Sequence, residues 1–518
     1  MDTSRLLRVS GTLAATAALL VSAAVSGGAA PSSAAAASGR AREEVPTALR
    51  PYYEQKLSWH ACPGKRRDFE CATLRAPLDY AAPSTGSDLK LAVSRKKATG
   101  SGKRLGSLMV NPGGPGGSAI GFLQGYAASS YPTPVRARYD MVAMDPRGVA
   151  ASEPVTCLSD ADMDAFTQVD ATPDDSAEVR ELTAAYKGFA EACAEHSGKL
   201  LRHVSTVEAA RDMDVFRAVL GDDKLHYVGA SYGTFLGATY AGLFPSRVGR
   251  LVLDGALDPS LSAEQVNREQ TAGFQTAFAS FAEDCAQHDD CPLEAGGRTE
   301  IASSRLKMFF DEVDRRPLRT GTSRRLTESL ATTGVISAMY DEATWPLLRK
   351  ALRSAQRGDG ALLLRLSDAY YERDEHGVYA NLMPANSAVN CLDLPPAFQS
   401  PGAVRRSLAD FEKASPALGT SFAWASLSCA YWPVPAVGTP HRITAPGAAP
   451  ILVVGTTRDP ATPYPWARAL ASQLSSGRLL TYDGDGHTAY NRGSRCVDSA
   501  INDYLLTATP PPASRKCS

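Results

Sequence analysis

The segment "LHYVGASYGTFLGATYAG", residues 225–242, constrains this chain more than any other. A short apolar run ends in Gly229-Ala230-Ser231-Tyr232-Gly233, and a helical pattern of small and apolar residues leaves it. A strand that turns at once into a helix leaves little room beside the turn, which is why glycines flank the serine. The spelling alone is common. Its place between a strand and a helix is what predicts an exposed, activated serine on a strained corner.

The rest of the chain alternates in the same way. Strand-like runs lie at 89–98, 105–111, 139–145, 225–230, 248–255, 450–456 and 478–484, and a short strand pair is expected within 57–62 and 69–80. The later runs are short and continuously apolar, as buried parallel strands are. Helical patterns at 206–221 and 234–244 separate them. Between 260 and 440 the pattern changes to helices, with Phe274, Phe278 and Phe281 on one face and two helices joined at Gly358-Asp359-Gly360. At 518 residues the chain is too long for one ordinary core. The expected fold is α/β, of the α/β-hydrolase type. A mostly parallel sheet flanked by helices comes from residues 39–259 and 441–518, and a large, mainly helical cap is inserted at 260–440.

A serine hydroxyl needs a base to remove its proton, and the base needs a carboxylate to hold its tautomer. In this fold the order along the chain is Ser, Asp or Glu, His. Two histidines follow the insertion. His441 stands in a proline-rich linker, whereas His487 stands in "DGDGHTAY", a glycine-rich loop just past a strand. Asp459, in "ILVVGTTRDPATP", follows a buried strand and is the expected acid, with a helix cap as its plainer role. Asp258, Asp483 and Asp485 are rivals. The catalytic set read here is Ser231, Asp459 and His487.

A second motif, "LMVNPGGPGGSA", fits a dinucleotide-binding turn from Gly114 to Ala119, and Asp145 would mimic its ribose-binding acid. Pro112 and Pro115, however, each remove an N–H group that a phosphate would need. The loop fits better as half of an oxyanion hole, with the N–H groups of Gly114 and Tyr232 as donors. Arg147, in "DPRG", is read as a structural tie between loops.

Arg5 and Arg8 precede an apolar, alanine-rich stretch, and small residues follow it, so 1–38 reads as an export signal. Export makes the even count of ten cysteines a disulfide framework. No membrane anchor is expected once the signal is removed. A net charge of −1 makes no case for nucleic acid, and the eight histidines form no metal motif. No cofactor is expected.

With "NPGGPGGS", "DPRG", "GASYGT", "RLVLDGALDP", "RDPATP" and "GDGHT" in this order, the chain resembles the secreted bacterial tripeptidyl aminopeptidases. These are prolyl-iminopeptidase-like serine peptidases of the α/β-hydrolase fold. The likeness runs from about Leu57 to the C-terminus, and one departure is Ala150 after "DPRGV", where the family has glycine. The resemblance implies an extracellular enzyme that releases short peptides, tripeptides above all, from the free N-termini of peptides or proteins. It also implies Cys391–Cys429 and Cys496–Cys517 bridges. Short spacing extends the scheme to Cys62–Cys71, Cys157–Cys193 and Cys285–Cys291. Such an enzyme must hold a cationic N-terminus, and Asp393, in the cap beside Cys391, is the expected carboxylate. Its plainer role is a cap for the turn before Pro395. Composition and spacing leave open an esterase or lipase on the same fold, and a non-catalytic binding protein.

Overall fold

The computed structural model describes residues 45–64, 66–83 and 88–518; the expected export signal lies outside them. Ten strands form one sheet: β1 (His60–Ala61), β2 (Glu70–Pro77), β3 (Asp88–Lys96), β4 (Gly106–Asn111), β5 (Tyr139–Met144), β6 (Leu225–Ala230), β7 (Val248–Asp254), β8 (Ile451–Arg458), β9 (Gly477–Asp485) and β10 (Arg515–Cys517). Their spatial order is β1-β2-β3-β5-β4-β6-β7-β8-β9-β10. The pairs from β1 to β5 are antiparallel, and every pair from β5 to β10 is parallel. This is the α/β-hydrolase fold.

Strand alternation gives the sheet two buried faces. Tyr227, Leu251, Leu253 and Val453 pack on one face against Phe216, Leu236, Tyr240 and Leu470 from three helices. Val228, Val252, Leu452 and Val454 pack on the other against Leu123, Val135, Val497 and Ile501. Both faces are covered, which is why these strands read as unbroken apolar runs.

β4 lies between β5 and β6, so the chain leaves β4 toward one side of the sheet and returns on the other. The loops after β4 and β6 therefore sit together at the carboxyl edge, the switch point where sheets of this kind bind ligands.

Between β7 and β8 every regular element is helical, apart from isolated bridges such as Leu318–Leu326. The insertion has its own core, with Phe274, Phe278, Phe281, Leu330, Leu348 and Leu363 fully buried. Its first helix, Ala263–Cys285, opens with a Ser262–Gln265 capping box. One helix from outside the insertion joins it. Val179 and Leu182 of Ser176–Ser197, in the β5–β6 connection, cluster with Phe398, Val404, Phe411 and Trp424 of the insertion. Farther along the same helix Phe189 and Cys193 join the core of the sheet, so it bridges sheet and lid.

All ten cysteines are bridged as neighbours in sequence: Cys62–Cys71, Cys157–Cys193, Cys285–Cys291, Cys391–Cys429 and Cys496–Cys517. Such a framework persists in an oxidising compartment. Among the described residues no helix is long and apolar enough to cross a membrane.

Candidate active site

The corner after β6 has the geometry the sequence requires. Ser231 is at φ +56° and ψ −127°, a strained region for any residue but glycine. It is held from both sides: its N–H donates to Asp254 O at 2.9 Å, and its carbonyl accepts from Thr234 N and Oγ1. A Cβ at Gly229 would lie 2.4 Å from Gly233 O, and one at Gly233 would lie 2.9 Å from Asn111 Oδ1. Neither flanking glycine has space for a side chain.

The loop after β4 lies directly on this corner. A Cβ at Gly113 would meet Ala230 O at 2.5 Å, Ser231 Cβ at 2.8 Å and Tyr232 N at 2.9 Å. Asn111 Oδ1 takes the Gly113 N–H at 2.8 Å, so that donor is used. Among the described residues the N–H groups of Gly114 and Tyr232 have no acceptor. Asp145 holds the far end of the loop by accepting from Ser118 Oγ and Ile120 N, each at 2.9 Å. Its carboxylate is therefore occupied by the protein, and a ribose would find no free acceptor there.

β8 and β9 bring the other two residues together. His487 Nδ1 lies 2.9 Å and 3.0 Å from the two carboxylate oxygens of Asp459. Asp459 is 2% exposed and also accepts from the N–H groups of Ala461, Thr462 and Thr488. With Nδ1 donating to this carboxylate, Nε2 carries the lone pair. Nε2 is buried and has no hydrogen-bond partner among the described residues.

The rivals are engaged elsewhere. Asp258 accepts from Ser260 and Gln473, and Asp483 and Asp485 both pair with Arg458. His441 is exposed, 2.8 Å from Thr439 O. Arg147 is buried and joins four segments through Asp212, Pro77 O, Leu78 O and His203 O, the structural tie the sequence implied. The one His/Asp/Glu group among the described residues compact enough to share an ion is Asp79, His203 and Glu208. The Arg147 guanidinium already stands 3.5 Å from Glu208 there, in a cation's place.

Two features were not legible in the sequence. Asp254, at the end of β7, is buried and accepts from Ala489 N at 3.0 Å and Tyr490 N at 2.8 Å, while its backbone carbonyl holds Ser231. Loss of hydration pushes its carboxyl up to about 6. One residue thus fixes the serine's loop and the histidine's loop to each other. The second is a clamp from the lid. Tyr340 O accepts from His487 N at 2.8 Å, and the Tyr340 ring meets the imidazole edge-on. Arg492 donates to His487 O at 2.6 Å and pairs with Asp341 and Glu342. Asp254 closes an apolar run inside "RLVLDGALDP", which gives no hint of its partners, and Arg492 has no sequence signal.

The Asp393 carboxylate is taken up by a helix start. Its two carboxylate oxygens accept from Thr206 N at 2.8 Å and Thr206 Oγ1 at 2.5 Å, and the Tyr232 hydroxyl bonds the same threonine from the other side. The reason is local: Thr206 opens a helix, and a helix N-terminus attracts a carboxylate. Burial pushes the Asp393 carboxyl up to about 7. A folded value above the unfolded one means its contribution to stability is present in acid and lost as pH rises through about 7. Asp393→Asn keeps both contacts, since its oxygen accepts from Thr206 N–H and its amide donates to Oγ1. The variant is expected to melt like wild type near pH 4, to gain on it as pH rises toward 7, and to stand a few degrees above it at pH 8, measured by thermal melts across that range.

The ten-stranded sheet, the strained serine corner and the Asp459–His487 pair define an α/β-hydrolase with the parts of a serine hydrolase. Comparison with known proteins narrows the class. Residues 415–517 match the family model described as TAP-like protein. Over 502 residues the chain is 39% identical to the serine protease Hip1 of Mycobacterium tuberculosis, an alignment covering 92% of this chain and 93% of that protein. It is 39% identical over 482 residues to carboxylesterase B of the same organism, covering 90% and 91% of the two chains. It is 31% identical over 468 residues to a tripeptidyl aminopeptidase of Streptomyces coelicolor, covering 87% and 84%. The chain belongs to this TAP-like family of serine peptidases.

Proposed function

We propose that the chain is an exported exopeptidase that releases short peptides, tripeptides above all, from free N-termini through an acyl-enzyme. Ser231 Oγ attacks the scissile carbonyl while His487 Nε2 takes its proton, then returns it to the departing amine. Water repeats the sequence on the ester and frees the peptide. Asp459 keeps the imidazole proton on Nδ1 and stabilises the imidazolium. The negative charge on the carbonyl oxygen falls on the N–H groups of Gly114 and Tyr232, worth about 3 kcal/mol per donor.

The observation that carries the reading is the Asp459–His487 pair standing with two acceptor-free N–H groups at a strained serine corner. The large lid and the aminopeptidase relative support an exopeptidase, and five disulfides support an oxidising destination outside the cytoplasm. An esterase is the second reading, favoured by the carboxylesterase relative. A panel of chromogenic tripeptide, dipeptide and single-residue amides with p-nitrophenyl esters separates them. Tripeptide amides are expected to give the highest kcat/KM; activity confined to the esters would favour the second reading.

A further inference from the structure

After β9 the histidine loop runs through four left-handed residues, Gly486, Thr488, Asn491 and Gly493, at φ +84°, +69°, +62° and +103°. Thr488 and Asn491 are not glycine, so this path has a cost and persists only where its surroundings impose it. Five successive backbone N–H groups, from His487 to Asn491, each have an acceptor. Thr488 N donates to Asp459, Ala489 N and Tyr490 N to Asp254, and Asn491 N to Asp498 at 2.7 Å. These carboxylates follow β8, end β7 and lie in the helix Arg495–Thr507, so all three belong to the sheet's half. His487 is the exception. Its N–H donates to Tyr340 O, which belongs to the lid.

The His487 carbonyl depends on the lid as well. It accepts from Arg492 Nη1 at 2.6 Å, and the same nitrogen donates to Tyr340 O at 3.3 Å. Arg492 Nη2 donates to Asp341 Oδ1 at 2.9 Å and to Glu342 Oε2 at 2.8 Å. A Cβ at Gly486 would stand 2.6 Å from Arg492 Nη2 and 2.8 Å from Glu342 Oε2, so this glycine leaves the pair its room. A guanidinium holds several acceptors in one fixed plane, which a lysine ammonium does not. Asp341 and Glu342 are partly exposed, and ion pairs of that kind add little to stability. What this one adds is the placement of His487.

We propose that Arg492 is a positioning residue that fastens the catalytic base to the lid, so that His487 is seated for proton transfer only while the lid turn 340–342 is in place. Both backbone polar groups of the histidine are held this way, one by Tyr340 directly and one through Arg492. The lid is then part of the frame that aligns the chemistry, besides walling the cleft. The inference rests on His487 as the base and is independent of which substrate the enzyme takes. An imidazole displaced by about 1 Å loses up to about 100-fold in rate, a loss that falls on kcat.

Arg492→Ala removes the latch from the sheet side. Asp341→Asn combined with Glu342→Gln removes its charges from the lid side, and the asparagine keeps the oxygen that caps Ala343 N. Thermal melts verify folding, and the readouts are steady-state kinetics on the chromogenic substrate that wild type cleaves best and the rate of fluorophosphonate labelling. Arg492→Ala is expected to lower kcat by roughly 10- to 100-fold with KM within about threefold, and to slow labelling in parallel. Arg492→Lys is expected to recover part of the loss, since it keeps the charge without the fork. The lid pair is expected to lower kcat by roughly 3- to 10-fold in the same pattern, and to add little to Arg492→Ala, as groups in one network do. A folded Arg492→Ala enzyme with wild-type kcat and labelling overturns the proposal, and so does full additivity with the lid pair. Should Arg492→Ala not fold, wild-type kcat and labelling in the lid pair overturn it instead. A His487→Ala enzyme that keeps wild-type turnover overturns the reading of the base itself.

Discussion

Ser231→Ala is expected to lower kcat by about 10⁴- to 10⁶-fold while leaving the fold and its stability intact. The rate loss follows from the role proposed for the hydroxyl: without the nucleophile, histidine and aspartate have nothing to activate, and such sets fail as a unit. The stability claim follows from the geometry. The Ser231 side chain makes no capping bond to the helix it opens, and alanine keeps the Cβ, so φ +56° is neither relieved nor worsened. Ser231→Gly, by contrast, removes that strain and should raise the melting temperature, with stability gained on the order of 1 kcal/mol. A fluorophosphonate should add one mass increment to the wild type, mapped to the Ser231 peptide, and none to either variant. A folded Ser231→Ala protein that turns over tripeptide anilides at the wild-type rate would remove the serine from the mechanism.

The parts of this site that local sequence reveals are those made by a strand and the turn after it. The corner at Ser231 and the loop of Asp459 each follow a largely apolar, buried strand, whereas His487 follows β9, which is only partly buried and was marked by its glycine-rich loop. The glycines of the β4 loop were readable for the same reason, since they mark where backbone meets backbone. What stayed hidden joins distant segments. Asp254 reaches Ala489 and Tyr490, more than two hundred residues away, and nothing in "LVLDG" names that partner. Arg492 and Tyr340 come from sheet and lid, yet Arg492 donates to Tyr340 O at 3.3 Å and both hold His487. The helix Ser176–Ser197 shows an apolar stripe in sequence but not which neighbour it serves. At Asp393 the neighbouring bridge was expected where it lies, at Cys391, yet the carboxylate answers to the helix start at Thr206.

Asp459→Asn tests the assignment from the carboxylate's side and is expected to cost about 10⁴-fold in kcat with KM changed only a fewfold. The hydrogen bonds decide this. One Asp459 oxygen accepts from Ala461 N and Thr462 N, the other from Thr488 N, and His487 Nδ1 lies within reach of both. Every group facing this carboxylate in the resting enzyme is a donor. An asparagine must present its NH₂ to some of them, whichever way the amide is turned. Two N–H groups face the first oxygen and one faces the second, so the less costly orientation points the NH₂ toward Thr488 and the imidazole. The histidine can then accept at Nδ1, which moves its proton to Nε2, the atom that must take the serine proton. The base is lost although the ring has not moved. Leaving the Thr488 N–H without an acceptor in a buried site adds a destabilisation of about 1–3 kcal/mol, seen as a lower melting temperature. The expected signature is therefore specific: slow turnover, near-normal KM, a modest loss of stability, and fluorophosphonate labelling of Ser231 slowed in parallel with kcat. Asp258→Asn and Asp485→Asn, which leave the His487 pair untouched, are expected to stay within about tenfold of wild type in kcat. If either of them falls as far as Asp459→Asn, or if Asp459→Asn keeps wild-type turnover, the carboxylate that orients His487 has been misassigned.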